Sequence, residues 1–193
     1  MITATQDDKK LVKNILANSF KDNQSVNFIV RQDRIKLKRI HALMDYSFEV
    51  CHLFGKVWLS DDRKACALTL LPNQKRTTLQ SIWLDVRLIF QAIGLGGIQK
   101  TLNREAAIKK LQSKEKMIYL WFIGVEPIHQ NTGIGSNLLK EIVADANNKS
   151  LPVYLETSTI KNLPWYEHFG FKIYNKLELG YSLFFLKHEP DKS

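Results

Sequence analysis

The chain has 193 residues, 45% of them hydrophobic and 24% charged, with a formal net charge of +9. These totals describe an ordinary globular protein of a length that suits one domain. No run of about 18 uninterrupted apolar residues occurs, and the N-terminus lacks a basic start followed by an apolar run, so neither a membrane span nor a secretory signal is predicted. We therefore expect a cytoplasmic protein without a membrane partner.

The positive charge raises the question of a polyanionic partner. Basic residues are spread along the chain, most densely at 31–39 and 109–116, and no nucleic-acid motif accompanies them, so we expect no nucleic-acid partner. Cys51 and Cys66 are too few for a disulfide framework and are predicted to be buried free thiols. The scattered histidines and cysteines lack metal-ligand spacing, which predicts no metal.

The first half of the chain is predicted to be mainly helical with one hairpin. Its elements are a helix at 8–20, a polar turn at 21–25, a helix from near Ile35 to Gly55, strands at 56–60 and 64–71 closed by Pro72, a helix at 78–93 and a shorter helix at 102–113. Apolar residues at i, i+3, i+4 and i+7 predict the helix at 78–93, and the same periodicity indicates that its aromatic-rich segment 83–90 lies mainly in the core. The Gly94-Leu95-Gly96-Gly97 run follows a helix and not a strand, so it predicts a helix stop and turn.

Residues 117–148 predict a strand, a glycine-bearing turn and an amphipathic helix, in that order. Such a turn leaves backbone N–H groups unpaired at the helix start, where the helix dipole favours negative charge, and this predicts a phosphate site. Gly133 and Gly135 allow the backbone to approach a ligand closely. The turn lacks the Gly-Lys-Ser/Thr ending of a P-loop and the first glycine of a dinucleotide fingerprint, which argues against both loops.

The last part of the chain predicts further alternation of strands and helices. Its elements are a strand at 153–158, a helix with Asn162 as cap and Gly170 as stop, and strands at 171–174 and 181–187 joined by 175–180. No repeat or linker is visible, so we predict a single α/β domain over 1–193.

The motif Val125-x-Pro127-x-x-Gln130-x-x-Gly133-x-Gly135 is followed about 30 residues later by Tyr166-Glu167-His168-Phe169-Gly170-Phe171. Together they resemble the GNAT superfamily of acyl-CoA-dependent N-acetyltransferases, over residues 117–186. Leu155-Glu156-Thr157-Ser158 with the segment 162–167 is similar to the small-molecule branch of that superfamily, which includes antibiotic acetyltransferases of the puromycin type.

The resemblance implies a mixed α/β fold with a splayed, mostly antiparallel sheet and helices on both faces. It also implies a cofactor half at 117–187, a bulge tolerated at Gly124, and acetyl-CoA as cosubstrate. Main-chain groups of Ile123 and Val125 would pair with the pantetheine arm, and an amide near Val125 would stabilise the oxyanion. The residues implied at the coenzyme A pyrophosphate are Gln130, Asn131, Thr132, Gly133, Ile134, Gly135 and Ser136.

The same resemblance makes Tyr166 the candidate general acid for the departing thiolate, since a phenol is protonated at neutral pH. The alternative is that Tyr166 only packs in the core. Asn162 is expected either to bind the cofactor arm or to act only as a helix cap. Glu156 is the candidate general base, against an ordinary hydrogen-bonded glutamate; Glu49 and His52 could instead face the acceptor pocket.

The sequence thus predicts acetyl transfer to an amine of a small molecule by direct attack in a ternary complex. Residues 78–114 are predicted to form a helical insertion near the acceptor side. A non-catalytic acyl-CoA-binding module and an enzyme acting on a protein amine stay open as alternatives. Nothing in the sequence indicates the acceptor or the oligomeric state.

Overall fold

The computed structural model describes residues 1–191, which fold around one seven-stranded sheet. The strands are β1 (Ile2–Thr3), β2 (Gly55–Leu59), β3 (Ala65–Leu70), β4 (Ile118–Val125), β5 (Val153–Thr157), β6 (Lys172–Glu178) and β7 (Ser182–His188). The helices are α1 (Lys9–Phe20), α2 (Gln24–Ile29), α3 (Lys36–Phe54), α4 (Leu79–Leu88), α5 (Ile98–Leu111), α6 (Ile134–Asn148) and α7 (Leu163–His168).

The sheet has the order β1-β2-β3-β4-β5-β7-β6, and only the β4–β5 pair of the described strands is parallel. One core packs α1 and α3 on one face, around Phe48 and Leu16. The other packs α6 and α7 on the opposite face, around Leu139 and Phe171. The predicted fold class, a mixed and mostly antiparallel sheet with helices on both faces, is confirmed.

The parallel pair β4–β5 is short. Ile118 pairs with Val153 and Tyr119 with Tyr154, and the described pairing ends there although β4 continues to Val125. Beyond this point β4 therefore has an edge that β5 does not cover. The sheet opens in its middle, as the resemblance implied.

The bulge that accompanies this opening is not at Gly124. The register of β3 against β4 shifts between Leu68 and Thr69, which face Phe122 and Leu120, so Trp121 is the extra residue. Gly124 has another role, because a Cβ there would lie 3.1 Å from Ser19 Oγ. It allows α1 to pack closely on β4.

Several predicted elements are confirmed and others need correction. The helices at 8–20 and 35–55 and the antiparallel hairpin are present, and Gly94, with φ +73°, begins the turn that ends the 78–93 helix. The prediction of a polar turn at 21–25 was wrong in part, because α2 begins at Gln24. The shorter helix begins at Ile98 and not at 102, and β6 runs to Glu178 where a connection was expected.

The prediction that the segment 83–90 lies mainly in the core was wrong. Leu84 is buried, but Trp83, Val86 and Phe90 are exposed to solvent, as is Leu79 at the start of the helix. The helix carries apolar residues on two faces, and periodicity alone does not distinguish the face that packs.

Cys51 and Cys66 are free and buried, as predicted, and burial raises the pKa of both thiols. No single helix within residues 1–191 has both the length and the apolar character to cross a membrane. The pair Leu79–Ile93 and Leu95–Leu111, bent by 100°, passes the same test of length and composition.

Candidate active site

The turn before α6 is built to present backbone N–H groups. Asn131 has φ +62° and Gly133, the N-cap of α6, has φ +85°. The first N–H bonded back to the turn is that of Asn137, to the Gly133 carbonyl at 2.9 Å. The amides of Ile134, Gly135 and Ser136 precede that bond, so they point out of the helix start, where an anion is favoured.

Close packing holds this turn against the end of β4. A Cβ on Gly135 would lie 3.0 Å from Val125 Cγ2, so only glycine lets α6 approach the strand this closely. Gln130 Nε2 donates to the Val125 carbonyl at 3.3 Å. Trp165 Nε1 donates to Ser136 Oγ at 2.9 Å, which ties α7 to the first turn of α6.

The open edge of β4 presents the main chain of Ile123 and Val125. Glu126 N–H donates to the Lys64 carbonyl at 2.9 Å, which makes this a hydrogen-bonded antiparallel pair. Hydrogen-bonded and non-hydrogen-bonded pairs alternate along a strand. The main-chain N–H and C=O groups of Gly124 therefore point towards β3, whereas those of Ile123 and Val125 point towards the side that β5 does not cover. The Val125 carbonyl already accepts a hydrogen bond from Ser19 Oγ at 2.8 Å. The N–H of Val125 is therefore the group through which this residue can bind a ligand at the open edge.

Tyr166 lies on α7 and belongs to the core against which Ile123 and Val125 pack. Its ring packs on Trp165 and Phe171, with centroids 4.7 and 5.7 Å away, and only 6% of the residue is exposed. Burial raises the pKa of its phenol, so the hydroxyl keeps its proton at neutral pH. Within residues 1–191 the hydroxyl makes no hydrogen bond, yet it is not among the fully enclosed polar atoms that lack a partner.

Glu156 lies on β5 at the opening and is held by two donors. Gln112 Nε2 donates to its Oε1 at 2.8 Å, and the Tyr119 hydroxyl donates to its Oε2. Burial raises the pKa of the carboxyl above its usual value, against the opposing effect of these donors and of the nearby Arg104 charge. Glu156 is therefore a carboxylate with an elevated affinity for a proton, which is the property a base needs.

A buried arginine that the sequence did not single out closes this side of the opening. Arg104 on α5 donates from Nε to the Tyr181 hydroxyl at 3.0 Å and from Nη2 to Ser25 Oγ at 2.6 Å. It connects α5 with α2 and with the residue that precedes β7. No local pattern marks Arg104 on α5, Gln112 directly after α5, or Tyr119 near the start of β4.

Asn162 occupies the N-cap position of α7, but its side chain makes no capping hydrogen bond. The expectation that it serves only as a cap is therefore wrong, and a contact with the cofactor arm stays a prediction. The neighbouring end of β5 is tied to the first half of the chain, since Asn23 Nδ2 donates to Thr159 Oγ1 at 3.2 Å.

Glu49 and His52 do not join this constellation. Glu49 accepts from Lys9 Nζ at 2.6 Å, at the start of α1, whereas the opening lies beside Ser19 near its end. His52 is exposed and stacks on Phe48. Across residues 1–191, no group of three or more His, Cys, Asp or Glu side chains is placed to hold a metal ion.

Comparison with known proteins agrees with this geometry. Residues 87–173 match the family model of the acetyltransferase (GNAT) domain, a stretch that includes β4, the turn, α6, β5 and α7. This part of the chain is therefore similar to the GNAT acetyltransferase domain. This is the domain of acyl-transferring enzymes, and the match covers nearly every residue assigned above to the cofactor.

The individual proteins to which this chain is similar are distant from it in sequence. An uncharacterised N-acetyltransferase of Schizosaccharomyces pombe is 42% identical over 53 residues, which are 28% of this chain and 22% of that protein's length. A solved structure from Corynebacterium glutamicum, described as histone acetyltransferase HPA2 and related acetyltransferase, is 19% identical, with a TM-score of 0.76 over 100% of this chain and 96% of that one. The ribosomal-protein-S18-alanine N-acetyltransferase of Escherichia coli is 12% identical, with a TM-score of 0.53 over 100% and 94%. At these identities the structural likeness establishes a shared fold.

Proposed function

We propose that this chain transfers the acetyl group of acetyl-CoA to an amine of a small molecule, by direct attack in a ternary complex. The observation that carries the proposal is the opening between β4 and β5. It leaves an unpaired strand edge next to a helix N-terminus, and two titratable side chains come from neighbouring elements: Glu156 on β5 and Tyr166 in the core against which Ile123 and Val125 pack. A cosubstrate with a pyrophosphate, an amide-bearing arm and a thioester fits these features: the pyrophosphate at the helix N-terminus, the arm along the strand edge and the thioester near the titratable side chains.

Binding follows from the backbone. The amides from Asn131 to Ser136, with Gln130 opening the turn, hold the pyrophosphate. The edge at Ile123 and Val125 pairs with the amides of the pantetheine arm as an added strand would, and Asn162 contacts the arm. The Val125 N–H, which faces the gap, donates to the thioester oxygen as negative charge develops there.

Chemistry needs two proton transfers. The amine nitrogen attacks the thioester carbon, the C–S bond breaks, and the departing thiolate takes the proton of the Tyr166 hydroxyl. The proton lost by the amine goes to Glu156, directly or through water. The buried position of Tyr166 and the raised pKa of Glu156 support this division of roles.

Crowding around Glu156 favours a small acceptor over a protein segment. Arg104, Ser25 and Tyr181 form a hydrogen-bonded wall on that side, and Asn23 and Thr159 join α1–α2 to the end of β5. An acceptor must fit between these contacts. A protein amine would need them to open.

A non-catalytic acyl-CoA-binding module is the second candidate. The observation that favours it is the saturation of Glu156, since both of its oxygens already accept a hydrogen bond from Gln112 or Tyr119. In that case the carboxylate would serve only to hold α5 and β4 together.

Two measurements test the proposal in sequence. Isothermal titration with acetyl-CoA at low salt is expected to show one site, and no binding would remove the basis of both candidates. An amine panel with detection of free thiol is then expected to show at least one substrate whose turnover exceeds the slow hydrolysis of acetyl-CoA. Binding without transfer to any amine would select the non-catalytic module.

A further inference from the structure

A second feature, outside the proposed active site, is an exposed apolar surface on α4 and the turn after it. We call it the α4 face. Exposed fractions of its members range from 46% to 89%, and these members are Leu79, Ile82, Trp83, Val86, Phe90 and Leu95. The spacing of the first five places them along one side of the helical segment 79–93, where they form a stripe, and Leu95 follows in the turn after it. Contiguous apolar patches of this kind mark interaction sites in folded proteins.

Basic residues border the α4 face at its Leu95 end. The segment 31–38 has the sequence RQDRIKLK, in which Ile35 and Leu37 are also exposed, at 47% and 51%. Two contacts place it there: Arg31 N–H donates to the Ala92 carbonyl at 2.9 Å, and Arg39 Nη1 donates to the Gln91 carbonyl at 3.3 Å. We call this border the basic rim; its exposed or half-buried cations are Arg31, Arg34, Lys36 and Lys38.

The opposite end of the α4 face is basic as well. Lys75 and Arg76 lie a few residues before α4, and both are exposed. Arg87 lies beside the stripe, with its guanidinium carbon 5.3 Å from the centre of the Trp83 ring. Asp85 is the acidic member of α4, and it accepts a hydrogen bond from Tyr46. Cationic side chains thus border the apolar stripe at both of its ends.

We propose that the α4 face docks on an anionic lipid surface. Leu, Trp and Phe side chains enter the boundary between headgroups and acyl chains, and adjacent Lys and Arg side chains attract anionic headgroups. The 100° bend between Leu79–Ile93 and Leu95–Leu111 lets α4 lie along a membrane plane while α5 remains in the fold.

Charge and apolar content together select this partner. A nucleic acid would be attracted by the basic rim but has no use for a stripe of exposed Leu, Trp and Phe residues. A second copy of the chain would cover the stripe, but it would bring two rims of like charge together in a molecule of net charge +9. An anionic membrane satisfies both parts of the surface.

Flotation with lipid vesicles tests the proposal on the full chain. We expect binding to vesicles of two parts phosphatidylcholine and one part phosphatidylserine, and little binding to pure phosphatidylcholine. Trp83→Ser and Phe90→Ser are each expected to weaken binding several-fold. Lys36→Gln and Lys38→Gln are expected to weaken it about fivefold per residue, with a loss at high salt.

Matched substitutions elsewhere serve as controls. Ile173, on β6, is 42% exposed, and Lys172 beside it is exposed; Ile173→Ser and Lys172→Gln are expected to leave vesicle binding unchanged. Thermal melting confirms that each variant is folded. Absence of binding to the anionic vesicles overturns the proposal, and so does equal loss in the control variants.

Sedimentation velocity and a competition with single-stranded RNA cover the other partners. A dimer that Trp83→Ser converts to monomer would identify the α4 face as an interface between copies. RNA binding that depends on Lys36 and Lys38 but not on Trp83 or Phe90, without vesicle binding, would identify a nucleic-acid surface. Either result overturns the lipid assignment, and neither depends on whether the chain transfers acetyl groups.

Discussion

Tyr166 is the residue at which packing and chemistry overlap most closely. Its ring fills the core between Trp165 and Phe171, while its hydroxyl makes no hydrogen bond within the described chain. Tyr166→Phe keeps the ring and removes only the proton donor. Because a positioned general acid contributes about 10²–10⁴-fold, we expect kcat to fall by about 100-fold or more with an amine that limits turnover at the chemical step.

The control for this substitution is binding. Isothermal titration is expected to show the same affinity of the variant for acetyl-CoA, because the amides of the turn and of β4 are untouched. Unchanged single-turnover rates in Tyr166→Phe would contradict the acid role. They would leave Tyr166 as a core residue, the alternative that the sequence also allowed.

Glu156 makes a prediction about pH. Burial raises the pKa of its carboxyl, and the Tyr119 and Gln112 donors act in the opposite direction because they stabilise the charged form. Tyr119→Phe removes one donor, so the pKa of Glu156 rises further. A base must be unprotonated to act, and the acidic limb of the kcat/KM profile is therefore expected to move to higher pH in Tyr119→Phe.

Gln112→Leu removes the other donor to Glu156 and is expected to move the same limb in the same direction. Tyr46→Phe on α3, whose hydroxyl donates to Asp85 and not to Glu156, serves as the control and is expected to leave the limb in place. A profile that is identical in all three variants would show that Glu156 does not supply the titrating group.

At the scale of elements, the contact between α6 and β4 governs the cofactor turn. Gly135→Ala places a Cβ 3.0 Å from Val125 Cγ2, so α6 must move away from the strand. Gly133→Ala adds backbone strain of about 1 kcal/mol at φ +85°. We expect weaker acetyl-CoA binding in both variants, by about tenfold, measured by isothermal titration.

Gly96 provides a matched glycine outside the site. A Cβ there would have no atom within 4 Å, and the residue has no positive φ. Gly96→Ala is therefore expected to bind acetyl-CoA as the unchanged chain does. If Gly135→Ala also binds normally, the amides at the start of α6 do not hold the pyrophosphate.

The elements also show how far the sequence could lead. The turn and α6 were predictable because glycine spacing and helical periodicity are local signals, and the GNAT domain match covers the same segment. The bulge at Trp121 was not, because it depends on the register against β3, which is a tertiary property. The exposure of the apolar stripe on α4 was not predicted for a similar reason. Periodicity shows that one face of a helix is apolar, but it does not show whether another element covers that face.

The candidate site shows the same division. Glu156 could be proposed from its place after a strand, but its donors come from the end of α5 and from β4, 44 and 37 residues away in the chain. Arg104 contacts Ser25 and Tyr181, at separations of 79 and 77 residues. Contacts of this range arise only when the helices of the first half close over the opened sheet.

At the scale of the whole molecule, acetyl-CoA is expected to act as a clamp between the two sides of the sheet. The proposed cosubstrate would contact β4, α6 and α7 together, and it binds only the folded chain. At a concentration about 100 times its Kd, such a ligand stabilises the fold by about 2.7 kcal/mol. For a chain of this length that corresponds to a rise in Tm of roughly 5–10 °C, measured by scanning calorimetry.

Pantetheine lacks the pyrophosphate and is expected to give a much smaller rise at the same concentration. Gly133→Ala should reduce the rise with acetyl-CoA towards that given by pantetheine, since strain at this residue disturbs the amides at the start of α6. Equal rises with acetyl-CoA and pantetheine would mean that binding energy comes from the β4 edge alone.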